Sequence, residues 1–236
     1  MPGYYMVHDK SFMENADLKY FDREILDIVQ YKENEYLFNI IKDAPKDAII
    51  LDIGAYTGDT SIYLAKKLNT INRNDIRFIC FEPNSRLCQH CLRLTKVHNL
   101  NIVIVNKIIS DKKQILYMKE DQGAGTMYDN CYDSNNIKYE SITLDELNID
   151  ASKVFFTKID VEGHEPEVLA GGVKTIKDSK YIYIEMWNDN HFKSRHGHKL
   201  SGSHNKRILD RIDNINKNFK PLQKIEKNVI FKNITT

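Results

Sequence analysis

From residue 48 onward, short runs of β-branched and aromatic residues alternate with longer segments of helical period. That alternation confines the chain to an α/β domain with a largely parallel sheet, since a strand that returns to the same edge after a helix makes a crossover unit. AIILDI (48–53) is a continuous apolar run suited to a strand covered on both faces, and TSIYLAKKL after it sets Ile62, Leu64, Ala65 and Leu68 at helical spacing. IRFICF (76–81) repeats the strand, and a helix opening near Asn84 carries Leu87, Cys91, Leu94 and Val97. NIVIV (101–105), QILYM (114–118) and IKYESI (137–142) read as further strands, with 119–136 a loop. KVFFTKIDV (153–161) reads as a buried central strand, followed by a helix that starts at Pro166 and runs to about Lys177. Proline suits that start because the first helical amides have no intrahelical acceptor. YIYIEMW (181–187) is the next strand, 188–204 a polar loop, 205–218 a helix and LQKIEKNVIFKNI a terminal hairpin. Residues 1–47 read as a helical lead-in that packs on this core through Ile25, Ile28, Val29, Leu37, Ile40 and Ile41.

Composition narrows the setting. A chain of 236 residues, 42% hydrophobic, buries a sizeable core without a disulfide or metal staple. Lys and Arg number 34 against 33 for Asp and Glu, a net +1, so no whole-molecule field draws the chain to nucleic acid. The four cysteines are too few and too unevenly placed for a secreted disulfide framework. The first residues lack the basic and apolar regions of a signal peptide, and no apolar run approaches the roughly 20 residues that cross a bilayer. The expectation is a cytoplasmic protein with no membrane span and no nucleic-acid partner. Its oligomeric state is left open.

In doubly wound sheets ligands lie outside the carboxyl ends of the strands, near the point where strand order reverses. The turn there reads Asp52-Ile53-Gly54-Ala55-Tyr56-Thr57-Gly58. It lacks the middle glycine of the dinucleotide fingerprint, which disfavours an NAD-dependent oxidoreductase. Asp52 would repel a phosphate and favour a cationic ligand such as S-adenosylmethionine; a glycine turn with a capping Asp is the plainer reading. The next strand ends at Glu82-Pro83, where a carboxylate can accept from both hydroxyls of a ribose or simply charge a helix start. The central strand ends Asp160-Val161-Glu162-Gly163-His164-Glu165-Pro166, three carboxylates and an imidazole at one sheet edge. Asp160 and Glu162 point the same way if the strand persists. Glu165 just before Pro166 also suits a helix dipole.

LDIGAYTGDT, FEPN, TLDEL, KIDVEGHEPEVLAGG and YIYIE resemble, in order and spacing, the FkbM-like family of class I S-adenosylmethionine-dependent methyltransferases, over roughly residues 48–186. The KIDVEGxE block with its following L-x-G-G is the most specific piece. The resemblance implies a Rossmann-like doubly wound α/β fold, with a mostly parallel seven-stranded sheet and an antiparallel C-terminal hairpin strand, in a methyltransferase domain spanning 48–236. It also implies methyl transfer from S-adenosylmethionine to a hydroxyl of a sugar, glycan or secondary metabolite. Asp52, Gly54 and Gly58 would line the methionine side of the cofactor, Glu82 would hold its ribose, and Asp160, Glu162 and Glu165 would form an acidic edge near the methyl group. Ala55, Tyr56, Thr60 and Pro83 complete the candidate cofactor wall, Tyr56 standing where members of the family commonly carry Asn. Candidate acceptor contacts are Glu165, Glu185 and His191.

The chemistry asks little of the protein. The sulfonium already activates the methyl group, so an acceptor oxygen must be aligned and one proton removed. Asp160, Glu162 and His164 are the candidate bases. A divalent ion bridging Asp160, Glu162 and a sugar diol is the less favoured arrangement. An RNA ribose or cap methyltransferase is one rival, helped by the basic residues of 193–224. A non-catalytic cofactor-binding module of a glycosylation complex is the other. Those basic residues also fit a solvated helix face, or a phosphate-bearing acceptor. Cys88-Gln89-His90-Cys91 reads as thiols on a packing face in preference to a metal half-site. His191, His196, His198 and His204 read as a solvated loop, or as help for substrate or metal.

Overall fold

The continuous run at the start of the domain becomes the middle of the sheet. The structure is a computed structural model, and it describes residues 32–119, 127–128, 136–187 and 203–235. In chain order the elements begin with α1 (Lys32–Ile41), β1 (Ile49–Ile53), α2 (Asp59–Thr70), β2 (Arg77–Phe81), α3 (Ser85–Val97) and β3 (Ile102–Val105). The short strands β4 (Ile108–Ile109), β5 (Ile115–Lys119), β6 (Met127–Tyr128) and β7 (Asn136–Ile142) follow. Next come β8 (Val154–Ile159), α4 (Glu165–Gly171), α5 (Val173–Ile176), β9 (Tyr181–Glu185), α6 (His204–Ile215), β10 (Phe219–Ile225) and β11 (Asn228–Asn233).

Seven strands form one sheet in the order β10-β11-β9-β8-β1-β2-β3. β1 runs parallel to β2 and β8, β8 parallel to β9, and β2 parallel to β3. Among the described residues of this sheet, the antiparallel pairs come from the C-terminal hairpin, β11 with β9 and β10 with β11. All five residues of β1 are buried. Ile50 faces a cluster with Leu37, Ile41, Ile62, Leu68, Leu94 and Phe78. Leu51 and Ile53 face Val168, Leu169, Ile208 and Ile212. Helices therefore cover both faces, and each fully buried Leu or Ile stabilises the fold by roughly 1.5–3 kcal/mol. The lead-in helix α1 joins the first layer through Leu37 and Ile41; Ile25, Ile28 and Val29 lie outside the described residues. Among the described residues no helix is long and apolar enough to cross a membrane.

Three local expectations change. The strands at 115–119 and 136–142 join β4 and β6 in a separate four-stranded sheet. Their reading is half-polar: in β7 Lys138 and Glu140 are exposed while Ser141 is buried, which suits a sheet covered on one face. The helix expected from Pro166 to Lys177 breaks at Gly172, which ends α4 and starts α5. Gly171 there lies against the Ser110 carbonyl, where an added Cβ would stand 1.9 Å from the oxygen. The helix expected over 205–218 stops at Ile215, and β10 begins at Phe219, before its Pro221. Proline fits because β10 is an edge strand. Much of the 119–136 loop and residues 188–202 lie outside the described residues.

The two glycines differ in what surrounds them. At Gly171 a methyl group meets backbone, whereas at Gly172 it meets the ends of Ile176 and Leu144, 2.8 and 3.0 Å away. Gly171→Ala should lower stability by about 1–3 kcal/mol in urea unfolding, and Gly172→Ala by clearly less. Equal losses would contradict the close approach at Ser110.

Candidate active site

The turn after β1 is tied to its neighbours at every step. Gly54 and Ala55 both donate backbone N–H groups to the Phe81 carbonyl, each at 3.0 Å. Gly54 has φ +85, and a Cβ there would lie 1.8 Å from the Asp160 carbonyl oxygen, so only glycine fits. The Tyr56 N–H donates to Glu82 Oε2 at 2.9 Å and the Asn84 N–H to Glu82 Oε1 at 2.8 Å. Asn84 caps α3, its side chain accepting from the Arg86 and Leu87 N–H groups. The Cys88 thiol donates to the Glu82 carbonyl at 3.0 Å and the Cys91 thiol to the Tyr56 carbonyl at 3.4 Å. Burial pushes the Cys88 thiol up to about 12, which fits the packing role read for this pair. Burial also pushes the Glu82 carboxyl up to about 7, against the lowering effect of its two backbone donors.

At the end of β8 the charges form a chain. Lys158 Nζ lies 3.1 Å from Asp52 Oδ1 and 3.5 Å from Asp160 Oδ2, and Ser61 donates to Asp52 Oδ2 at 2.6 Å. Burial opposes the Lys158 charge, but the carboxylates of Asp52, Asp160 and Asp59 outweigh it and raise its pKa. Burial likewise opposes the Asp160 charge, yet Lys158 holds that carboxyl below its usual range. Asp59 is raised by burial. Asp52 is 2% exposed and is paired with Lys158 and Ser61 behind the turn.

β8 stops at Ile159, and the chain reverses through Glu162 at φ 54 and Gly163 at φ 103. Glu165 Oε1 accepts from the Val161 and Gly163 N–H groups at 3.2 and 3.1 Å, and Oε2 lies 3.0 Å from His204 Nε2. Both side chains are fully buried. Glu165 braces the turn, with both oxygens occupied and its side chain buried. His164 is 8% exposed, its Nε2 lies 2.9 Å from Ser110 Oγ and its Nδ1 3.7 Å from Glu167. Asp160 and Glu162 do come together, through the turn and not through a continued strand. One oxygen from each, with one from Glu185, lie within 4.8 Å of one another.

Two cavities flank these carboxylates. The first, about 440 Å³, is lined by Gly54, Ala55, Tyr56, Thr60, Glu82, Pro83, Asp160 and Glu162, with Glu33, Asp59, Lys107 and Lys158 among the other wall residues. The second, about 380 Å³, is lined by Glu185, Met186, Trp187, Asn205, Lys224, Glu226 and Lys227. Glu185 pairs with Lys227 and its side chain is fully buried; burial and then the Asp160 charge push its carboxyl up to about 7. Lys227 also stands 5.9 Å from the centre of the Trp187 ring. Asp52 and Gly58 do not line the first cavity, and His191, His196 and His198 lie outside the described residues. Sequence reasoning missed Lys158, although its place two residues before Asp160 puts it on the same strand face. It also missed Glu33 and Lys227, for which spacing gives no signal. The basic residues Lys206, Arg211, Lys217 and Lys220 are exposed, while Arg207 pairs with Glu167.

Residues 52–216 match the family model of the methyltransferase FkbM domain. The chain belongs to the FkbM methyltransferase family. The match opens on Asp52 and closes just past α6, so it leaves α1 and the C-terminal hairpin of this FkbM methyltransferase outside. No curated protein sequence matches the chain significantly. Among solved structures it is similar to a geranyl diphosphate C-methyltransferase from Streptomyces coelicolor A3(2), with 7% identity, TM-score 0.53, and 96% of this chain and 85% of that one covered. An O-methyltransferase from Bacillus cereus gives 15% identity, TM-score 0.50 and coverage of 94% and 93%. An S-adenosylmethionine-dependent O-methyltransferase from Thermotoga maritima gives 10% identity, TM-score 0.50 and coverage of 89% and 70%. At such identities the likeness is one of fold, and it agrees with the Rossmann-like sheet.

The buried pair yields a stability test for this FkbM methyltransferase. Lys158→Met leaves Asp52 buried without its cation, which should cost about 3–5 kcal/mol in urea unfolding. Adding Asp52→Asn should recover a large part of that loss. Strictly additive losses in the double-mutant cycle would show that the two side chains do not act as a pair.

Proposed function

We propose that this methyltransferase moves the methyl group of S-adenosylmethionine to a hydroxyl oxygen of a sugar or glycan. The observation that carries the reading is the position of the carboxylates. Asp160 lines the first cavity, Glu185 lines the second, and their oxygens lie within 4.8 Å of one another. A methyl donor in the first and an acceptor in the second would meet over that pair. Glu82 suits a ribose, since each of its oxygens uses one lone pair on a backbone N–H and keeps another. Lys224, Lys227, Asn205 and Glu226 offer hydrogen-bonding groups suited to a polyhydroxylated acceptor, with the buried Trp187 in the wall behind them.

The reaction then runs as an in-line displacement. The acceptor oxygen bonds to the methyl carbon as the carbon–sulfur bond breaks, and the sulfonium becomes a neutral thioether. The hydroxyl proton passes to Asp160, whose side chain is part-exposed and has the buried Glu185 beside it, and from there to solvent. A base adds about 10²–10⁴ in rate, and alignment of the reactants supplies more. The three-carboxylate spacing also suits a hard divalent ion. Lys158 and Lys227 already balance the charge of Asp160 and Glu185, which favours direct proton transfer.

Two outcomes are expected. Because Glu82 stands at about 7 in the free protein and only its anion is a full acceptor, S-adenosylhomocysteine should bind more tightly as pH rises from 6 to 8. In calorimetry Glu82→Gln should flatten that dependence and weaken binding at least about tenfold at pH 8. A wild type that ignores both S-adenosylmethionine and S-adenosylhomocysteine would refute the cofactor assignment. On a methylated sugar acceptor, Asp160→Asn and Glu185→Gln should each lower turnover at least about 100-fold while changing S-adenosylmethionine affinity far less. Loss of activity on chelation, restored by magnesium, would replace the direct base with a metal.

A further inference from the structure

α1 reaches the first cavity from outside the stretch that matches the family model. Glu33, in its first turn, lines the same wall as Thr60, Lys158 and Asp160. Its Oε1 accepts from the Tyr183 hydroxyl, and Asn228 Nδ2 lies 3.4 Å from the same oxygen. Tyr183 is 1% exposed and Asn228 6%, so both anchors belong to the core. Two residues further on, in the same first turn, Glu35 pairs with Lys67 and Tyr63 of α2, while Leu37 and Ile41 are buried against the sheet. The helix is thus fixed at several points, and the Glu33 carboxylate stands at a defined place.

That place is informative because of the strand order. Tyr183 lies on β9 and Asn228 on β11, on one side of β1, whereas Glu82 follows β2 on the other side. A cofactor with its ribose at Glu82 and its reactive centre near Asp160 extends its amino-acid end toward the β9 side of the sheet. An α-ammonium carries a full positive charge and several N–H donors and needs carboxylate acceptors. We infer that Glu33 receives the α-ammonium of S-adenosylmethionine, which makes α1 part of the cofactor site. This inference rests on the cofactor reading above. Tyr183 and Asn228 act on that ammonium only through Glu33 and are positioning residues.

The test compares two ligands that share adenosine and sulfur and differ in the amino-acid end. S-adenosylhomocysteine carries that end and 5′-methylthioadenosine lacks it. Glu33→Gln keeps the oxygen that accepts from Tyr183 and removes the charge. In calorimetry it should weaken S-adenosylhomocysteine at least about tenfold and leave 5′-methylthioadenosine within about twofold of wild type. Equal weakening of both ligands by a folded variant, or of neither, would overturn the role of Glu33. Should Glu33→Gln fail to fold, Tyr183→Phe decides, since it keeps the carboxylate and loosens it. It should weaken S-adenosylhomocysteine selectively, and an unselective effect or none would overturn the inference. A wild type that binds neither ligand would instead remove the cofactor reading itself.

Discussion

Much of this molecule is arranged around a lysine held between two aspartates. Lys158 of β8 faces Asp52 of β1 and Asp160 just beyond its own strand, at 3.1 and 3.5 Å. Asp52 and Lys158 are register partners on adjacent parallel strands, so the pair forms only when the two strands align correctly. Removing both charges from water is expensive, and Ser61 helps by satisfying the second oxygen of Asp52. The same alignment sets the Asp160 carbonyl against Gly54, closer than any side chain would allow. Charge pairing and backbone approach therefore specify one register for the edge on which the site is built.

What the sequence makes visible follows from how local the cause is. The β1 strand was legible because its burial on both faces writes itself as an unbroken apolar run. The helix starts near Asn84 and Pro166 were legible because they depend on a few neighbouring residues. The separate four-stranded sheet was not, since Ile115–Lys119 and Asn136–Ile142 carry ordinary strand patterns that do not say which sheet they join. The break at Gly172 was hidden as well, because the close contact of Gly171 with Ser110 is set by distant chain.

The site divides along the same line. Gly54, Glu82 and Asp160 stand at strand ends, and strand ends can be found by periodicity. The partner of Asp52 was not legible, because a sequence displays a charge without its partner. Free, Asp52 would have faced a ligand; paired with Lys158, it supports the wall from within. The surroundings of Glu165 and His164 were hidden for a related reason. Chemistry-bearing side chains cluster in the six residues from Asp160 to Glu165, but the left-handed residues at Glu162 and Gly163 send them to different sides. Glu165 fixes that turn through two backbone N–H groups, so its contribution to the site is geometric.

The C-terminal hairpin completes what a purely parallel sheet lacks. In a parallel strand only the carboxyl end can deliver residues to the site, and the segment after β9 is the last such delivery in the chain. β11 runs antiparallel to β9, so its beginning, at Asn228, sits opposite Glu185. The tight turn before it therefore brings Glu226 and Lys227 to the same edge from the opposite direction. Lys227 stabilises the anion of Glu185, while burial and Asp160 oppose it. Burial and Asp160 prevail, and that carboxyl is pushed up to about 7. One reversed strand thus furnishes a cation next to the carboxylate pair, and it does so from a segment beyond the end of the family match at residue 216.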